Sequence, residues 1–460
     1  MSAKQAVRPR PPSVERVLAR VRDRLGGPRE AGPVLAVTRQ VVDDERERLH
    51  TDGAAPRDLD ELAAIVVGRL DEFAGPVITA PTAVINATGV IVHTNLGRAP
   101  WPAAAVEAAA ELATRYLLLE LDRETGRRGA RARIAEDHLV ALTGAEDAFV
   151  TNNNAAALAL AVGLAGRGGV VVSRGELVEI GGGVRIPDIV RRAGAKLIEV
   201  GTTNRTRADD YEAPLAEGRA RAVLRVHPSN FTMSGFIETP DPAAVAELAH
   251  RHGAIVIDDL GSGALLDTAP FGLTHEPLPS ERLAAGSDIV TFSGDKLVGG
   301  PQAGLVVGRA DLIARMRRDP LARAMRPDKV TMAGVALTLG LYRAGRATSD
   351  IPVWRMIATP VPTLRARAEG LRSRLGEKVE VVDLRSTVGG GSLPGETLPS
   401  VGLAVHAGSA TRALTALRRG DPPVIGRIED GRVVLDLRTV EPDRDDDLAT
   451  AVGRAVAAVR

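Results

Sequence analysis

From about residue 140 strands and helices alternate, and that alternation predicts an α/β protein with a mostly parallel sheet. Two further observations complete the architecture. Residues 1–75 carry helical periodicity only, and residues beyond about 346 mix short strands with a helix. The expected organisation is a helical unit over 1–75, a large α/β domain over 76–345 and a small α+β domain over 346–460.

In the first unit, Ser13 is placed to cap a helix that continues through Arg16 and stops at Gly26-Gly27-Pro28. Amphipathic helices follow at Val34–His50 and Leu59–Phe73. Residues 1–30 hold eight Lys and Arg against three acids. Such a basic helix can contact phosphates, although a solvated basic face needs no ligand. The segment Asn86–Pro100 is irregular, rich in Gly and Asn, and carries Arg98 before a helix at Pro102–Tyr116. Ordered loops of this composition commonly carry function. A glycine-arginine loop follows at Thr125–Arg133.

The alternating region then reads as strand Ala148–Thr151, helix Asn154–Gly166, strand Gly169–Ser173, helix Val184–Ala193 and strand Lys196–Val200. Strands Ala222–His227, Ala254–Asp258, Asp288–Phe292 and Gly304–Val307 follow, with helix Asp241–His252 among them. In the small domain, strands are expected near Val379–Asp383, Ser400–His406 and Arg432–Leu437, with a helix at Ser409–Arg418.

Composition excludes several function classes. The chain has no cysteine, which removes disulfides, thiolate catalysis and cysteine-ligated metals. The start Met1-Ser2-Ala3-Lys4 lacks the apolar core of a signal peptide, and no apolar run is long enough to span a bilayer, so a cytoplasmic protein is expected. Aromatics are 2% of the residues, too few for a base-stacking surface. His250 and His252 end a helix and read as solvated, so no metal site is expected.

One lysine stands out. Only five of the 59 Lys and Arg residues are Lys, and one of them, Lys296, follows an apolar strand and sits among Gly294, Gly299, Gly300 and Gly304. Arg cannot be deprotonated or form an imine; Lys does both when its pKa is lowered. A second feature is the strand-to-helix turn Asn152-Asn153-Asn154-Ala155-Ala156. Amides at a helix N-terminus bind anions, and small side chains admit a phosphate. An Asn-capped helix would need only one of the three Asn. Neither G-x-G-x-x-G after a strand nor a P-loop is present. A phosphate cofactor with an aldehyde for Lys296 remains, pyridoxal phosphate. Its ring nitrogen needs a carboxylate partner. Asp259 is the choice, because Gly261 and Gly263 beyond it allow close approach; Asp258 is the fallback. Ser293 can donate to the cofactor phosphate, and His227 either lies over the ring or caps a strand. Arg98, Arg323 and Arg326 are candidates for an oxyanion, the last two being three apart and so on one helical face.

These residues resemble a known family, the bacterial selenocysteine synthases or L-seryl-tRNA(Sec) selenium transferases, which are fold-type-I pyridoxal-phosphate enzymes. The resemblance runs through Asn86–Pro100, Thr125–Arg131, Asn152–Ala157, Arg174–Gly183, His227–Phe231 (which includes Asn230), Asp259–Gly263, Ser293–Lys296 and Gly389–Pro394. It departs where Asp258 precedes the expected Asp259. It implies that Lys296 holds the cofactor covalently and that Arg98, Arg323 and Arg326 line the pocket for selenophosphate. It also implies that residues 1 to about 75 bind seryl-tRNA(Sec), and that the chain forms a homodecamer of dimers with active sites at dimer interfaces. The implied reaction eliminates the seryl hydroxyl and adds selenium at Cβ. Two rivals stay open: a pyridoxal-phosphate lyase acting on a free small amino acid or amino sugar acid, and a non-catalytic RNA-binding protein.

Overall fold

The computed structural model describes residues 10–25, 30–51, 55–74, 82–128, 133–181 and 183–459. The expected helix stop at Gly26–Pro28, part of the glycine-arginine loop (Gly129–Ala132) and the 75/76 boundary lie outside the described residues. The chain divides into two compact units, Met1–Ala83 and Val84–Arg460.

The first unit has helices Val14–Arg24, Ala31–Thr51 and Leu59–Ala74. Their apolar stripes meet in a small core of Val17, Val21, Val34, Val37, Val41, Val42, Leu62 and Val66. Part of the basic surface is spent internally: Arg20 and Arg24 both pair with Asp60. Arg16 and Arg22 are exposed. Buried Glu45 is held by Arg48 and Arg57, and the Arg48 hydrogen bond is the main reason its pKa falls to about 2.

In the second unit, seven strands form the main sheet: β1 (Asp147–Thr151), β2 (Gly169–Ser173), β3 (Lys196–Val200), β4 (Ala220–Val226), β5 (Ile255–Gly261), β6 (Ile289–Ser293) and β7 (Gly304–Gly308). The order is β1-β7-β6-β5-β4-β2-β3, with β7 antiparallel to both neighbours and every other pairing parallel. This is the α/β architecture expected. All five residues of β2, β6 and β7 are buried, as a parallel sheet covered on both faces requires.

A second sheet runs Arg427–Glu429, Arg432–Asp436, Thr397–Val405, Val379–Gly389 and Val90–Val92. Its last member comes from the segment expected in the large domain. Val90 and Val92 pair with Thr387 and Gly389, and Ile85–Asn86 pairs with Val424–Ile425. The chain therefore threads the small sheet before it enters the large one.

Some local expectations shift. The helix expected from Val184 begins at Ile186, because Glu179–Gly181 and Val184–Arg185 form a hairpin instead. The helix carrying Arg323 is short, Pro320–Ala324, and ends before Arg326. Pro327 disfavours helical backbone at the residue before it, so the pair does not share one helical face. Helix Lys329–Arg343 escaped the sequence reading; its Gly334 interrupts the apolar pattern. A Cβ at Gly334 would stand 2.7 Å from Pro301 and 2.8 Å from Trp101, so close packing explains the glycine.

That helix anchors the segment after Lys296. Tyr342 donates its hydroxyl to the carbonyls of Leu297 and Val298, both at 3.0 Å, and Trp354 Nε1 donates to Leu297 at 2.8 Å. All four residues are buried, so losing the Tyr342 hydroxyl leaves the Val298 carbonyl without a partner or water. Tyr342→Phe is expected to cost about 1–3 kcal/mol. Urea unfolding measures this, and an unchanged midpoint would contradict the anchoring role.

Candidate active site

The C-terminal ends of β4, β5 and β6 open onto a cavity of about 500 Å³, at the edge where open α/β sheets bind ligands. Lys296, Asp259, Ser293, Asn154, Ala155, His227, Asn230 and Arg98 all line it. Sequence reasoning therefore named residues that the fold brings together from five separate segments.

Lys296 follows β6 by three residues. Its Nζ points at the Gly391 carbonyl, 3.4 Å away, in the hairpin loop of the small sheet. Gly391 has φ +79°, left-handed backbone that favours glycine, and a Cβ there would lie 2.3 Å from Nζ and push the lysine tip aside. Burial lowers the Lys296 pKa from the ordinary lysine value; Asp259 opposes that shift and Arg98 adds to it. The amine is thus shifted toward its neutral, nucleophilic form.

Asp259 is 4% exposed. Burial raises its pKa, against a hydrogen bond from Asn154, the charge of Lys296 and a hydrogen bond from Thr291. Asn154 Nδ2 donates to Oδ1 at 2.8 Å. The choice between the two aspartates has a geometric basis. Successive side chains on a strand face opposite ways. Asp259 lines the Lys296 cavity, whereas Asp258 lines a neighbouring cavity with Glu176, Arg225 and Arg282.

At the phosphate candidate, the side chain of Asn153 caps the helix Asn154–Gly163 and accepts from the Ala156 amide at 2.9 Å. That amide is occupied, and Ala156 does not line the cavity; Asn153, Asn154 and Ala155 do. His227 Nε2 stands 3.1 Å from Glu276 Oε1, a close contact too poorly aligned to count as a hydrogen bond. Asn230 Nδ2 donates to the Glu179 carbonyl at 2.7 Å.

Arg98 adopts φ +65°, left-handed backbone that is uncommon for a non-glycine residue. It pairs with Asp295 at 2.7 Å, beside Lys296. Arg323 and Arg326 are elsewhere in the chain. They line a separate cavity of about 580 Å³ with Arg128, Arg133 and Arg317, and Arg326 pairs with Glu120. Within one chain the three candidate arginines do not converge.

Asp295, Thr291 and Glu276 were missed by sequence reasoning. Adjacency to Lys296 was the available signal for Asp295; the other two need strand register and loop packing. Pyridoxal phosphate fits the residues present. The amine is buried but lines the cavity, a carboxylate stands beside it, small residues lie at a helix start, and Asn154 Oδ1 is buried without a partner. Among the described residues no group of three His, Cys, Asp or Glu side chains is arranged to hold a metal.

The neighbouring cavity, about 140 Å³, yields a pH prediction. Burial pushes the Glu176 pKa up to about 7, with Arg225 opposing. The folded state keeps this proton where the unfolded chain has lost it, so its stabilising effect fades as pH rises from 4.5 to about 7. Glu176→Gln removes that dependence. Urea unfolding across this range should show wild type losing stability relative to the variant; a constant difference would contradict it.

Comparison with known proteins places this geometry in a family. The family model described as L-seryl-tRNA selenium transferase matches residues 84–441. An L-seryl-tRNA(Sec) selenium transferase of Moorella thermoacetica is 45% identical over 433 residues, covering 92% of this chain and 91% of the relative. Its counterpart in Rhizobium meliloti (strain 1021) is 44% identical over 433 residues, covering 91% and 92%. Among solved structures, a D-glucosaminate-6-phosphate ammonia-lyase superposes with TM-score 0.59 at 21% identity, covering 82% of this chain and 97% of that one. That likeness concerns the fold. The family-model match and the two relatives, taken with the cavity around Lys296, show that the chain belongs to the L-seryl-tRNA selenium transferase family.

Proposed function

We propose that this protein is a pyridoxal-phosphate enzyme that converts L-seryl-tRNA(Sec) to L-selenocysteinyl-tRNA(Sec), with selenophosphate as selenium donor. The observation that carries the proposal is the pairing of a half-buried lysine and a buried aspartate in one cavity of a chain of this family. When bound, pyridoxal phosphate supplies an electron sink for charge that develops at the seryl Cα.

The chain's own residues supply the rest. Lys296, its pKa lowered by burial, holds the cofactor and then takes the Cα proton at Nζ. Asp259 keeps a proton on the ring nitrogen. The backbone amides of Asn154 and Ala155 and the hydroxyl of Ser293 hold the phosphate end, and His227 and Asn230 border the ring. The seryl hydroxyl leaves as water, selenium bonds to Cβ, and phosphate is released from the donor. An aminoacyl ester has no α-carboxylate charge, so arginines at the site are available for the selenium donor. Arg98 serves at the Lys296 cavity itself. Arg323 and Arg326 complete the site across a dimer interface, within a decamer built from dimers.

The remaining assignments follow the same reading. Residues 1 to about 75 bind tRNA, recognising its folded shape rather than its base edges. Exposed Arg16 and Arg22 are available there for phosphates. The large domain spans 76–345 apart from Ile85–Asn86 and Val90–Val92, which pair with strands of the small one, 346–460. Among the described residues no helix is long and apolar enough to cross a membrane, and the proposed location is the cytoplasm.

Incubation with charged tRNA(Sec) and selenophosphate should yield selenocysteinyl-tRNA, and charged tRNA(Ser) should not; absence of product would reject the proposal. Lys296→Ala should abolish both turnover and the borohydride-reducible visible band of the cofactor. Their persistence would remove Lys296 from the mechanism. Deleting residues 1–75 should abolish tRNA binding while the cofactor band remains; turnover of a free small amino acid or amino sugar acid that survives the deletion intact would favour a free-amino-acid enzyme.

A further inference from the structure

We propose that Thr291 is a positioning residue that, together with Asn154, fixes the Asp259 carboxylate so that Oδ2 faces the cofactor nitrogen. The inference rests on the pyridoxal-phosphate reading above and names how the chain orients the key carboxylate.

The strands set the geometry. β5 and β6 are parallel neighbours, and Thr291 stands opposite Asp259 in their register. The register shifts immediately afterwards, so that Phe292 pairs with Gly261 and Leu260 is passed over. Such irregularities re-aim side chains beside active sites. Here the shift follows the one cross-strand pair that joins a hydroxyl to the carboxylate.

Thr291 is 0% exposed. A buried hydroxyl costs stability unless it is hydrogen-bonded, and valine would fill the same space without that cost. The Thr291 hydroxyl donates to Asp259 Oδ1 at 3.1 Å. Asn154 Nδ2 donates to the same oxygen at 2.8 Å, from the start of a helix that follows a different strand. Two donors from separate elements on one oxygen leave the carboxylate no free rotation. No hydrogen bond from the described residues reaches Oδ2. Both donors also stabilise the ionised carboxylate against the burial that would otherwise protonate it.

The test compares wild type, Thr291→Val and Thr291→Ser as cofactor-free proteins reloaded with pyridoxal phosphate labelled with ¹⁵N in the ring. Cofactor affinity is read from the visible band and ring protonation from the nitrogen NMR signal. Thr291→Val should bind the cofactor roughly ten-fold more weakly, the scale of one hydrogen bond to a charged group. Its nitrogen signal should move toward neutral pyridine. Thr291→Ser keeps the hydroxyl and should restore both readouts. Unchanged affinity and nitrogen signal in Thr291→Val, or a lowered melting temperature alone, would overturn the proposal. If the valine variant does not fold, Asn154→Ala removes the other donor and must produce the same two changes; their absence overturns it equally. A wild type that binds no cofactor would refute the parent reading, and this one with it.

Discussion

Taking a lysine ammonium out of water is strongly unfavourable, and the catalytic unit is arranged around that fact. Lys296 is carried past the end of β6 and covered by the hairpin loop of the small sheet at Gly391. Tyr342 and Trp354 then grip the carbonyls just beyond it. The covering loop comes from residues almost a hundred positions downstream, in a sheet that also recruits Val90–Val92 from upstream. The small sheet is therefore part of what shifts the lysine toward its neutral form. Asp259 limits the shift most, because its charge favours the ammonium, and Asp295 and Glu276 act in the same direction.

β5 supplies two consecutive aspartates, and alternation along the strand sends them to different cavities. One stands with the lysine. The other joins Glu176, Arg225 and Arg282 in a polar cluster, where Arg225 Nε and Nη1 and Arg282 Nε are buried without hydrogen-bond partners. Two adjacent acids thus have separate environments, and of the two only Asp259 shares a cavity with Lys296.

Much of this was legible in the sequence. Lys296 stood out against an arginine-rich background because imine chemistry is closed to arginine. The alternating strands announced the sheet, and the strand-to-helix turn at Asn152–Asn154 drew attention to two residues, Asn153 and Asn154, that line the Lys296 cavity. What the sequence could not resolve has physical causes. Asn153 and Asn154 look equivalent in a run of three, yet one caps the helix and the other reaches Asp259. Thr291 is an ordinary β-branched strand residue until the register sets it against the carboxylate. Arg323 and Arg326 have helical spacing, but Pro327 stops the helix between them, and their cavity is distinct from that of Lys296 within one chain. The segment Ile85–Val92 pairs with strands more than 290 residues away, a long-range contact that local pattern does not encode.

The central claim is that Lys296 and Asp259 hold one cofactor between them. The most direct measurement is a crystal structure of the protein reconstituted with pyridoxal phosphate. The account predicts density continuous from Lys296 Nζ into the cofactor, with Asp259 Oδ2 at hydrogen-bond distance from the ring nitrogen and Asp258 turned away. Cofactor bound without a link to Lys296, or a ring nitrogen paired with Asp258, would contradict it.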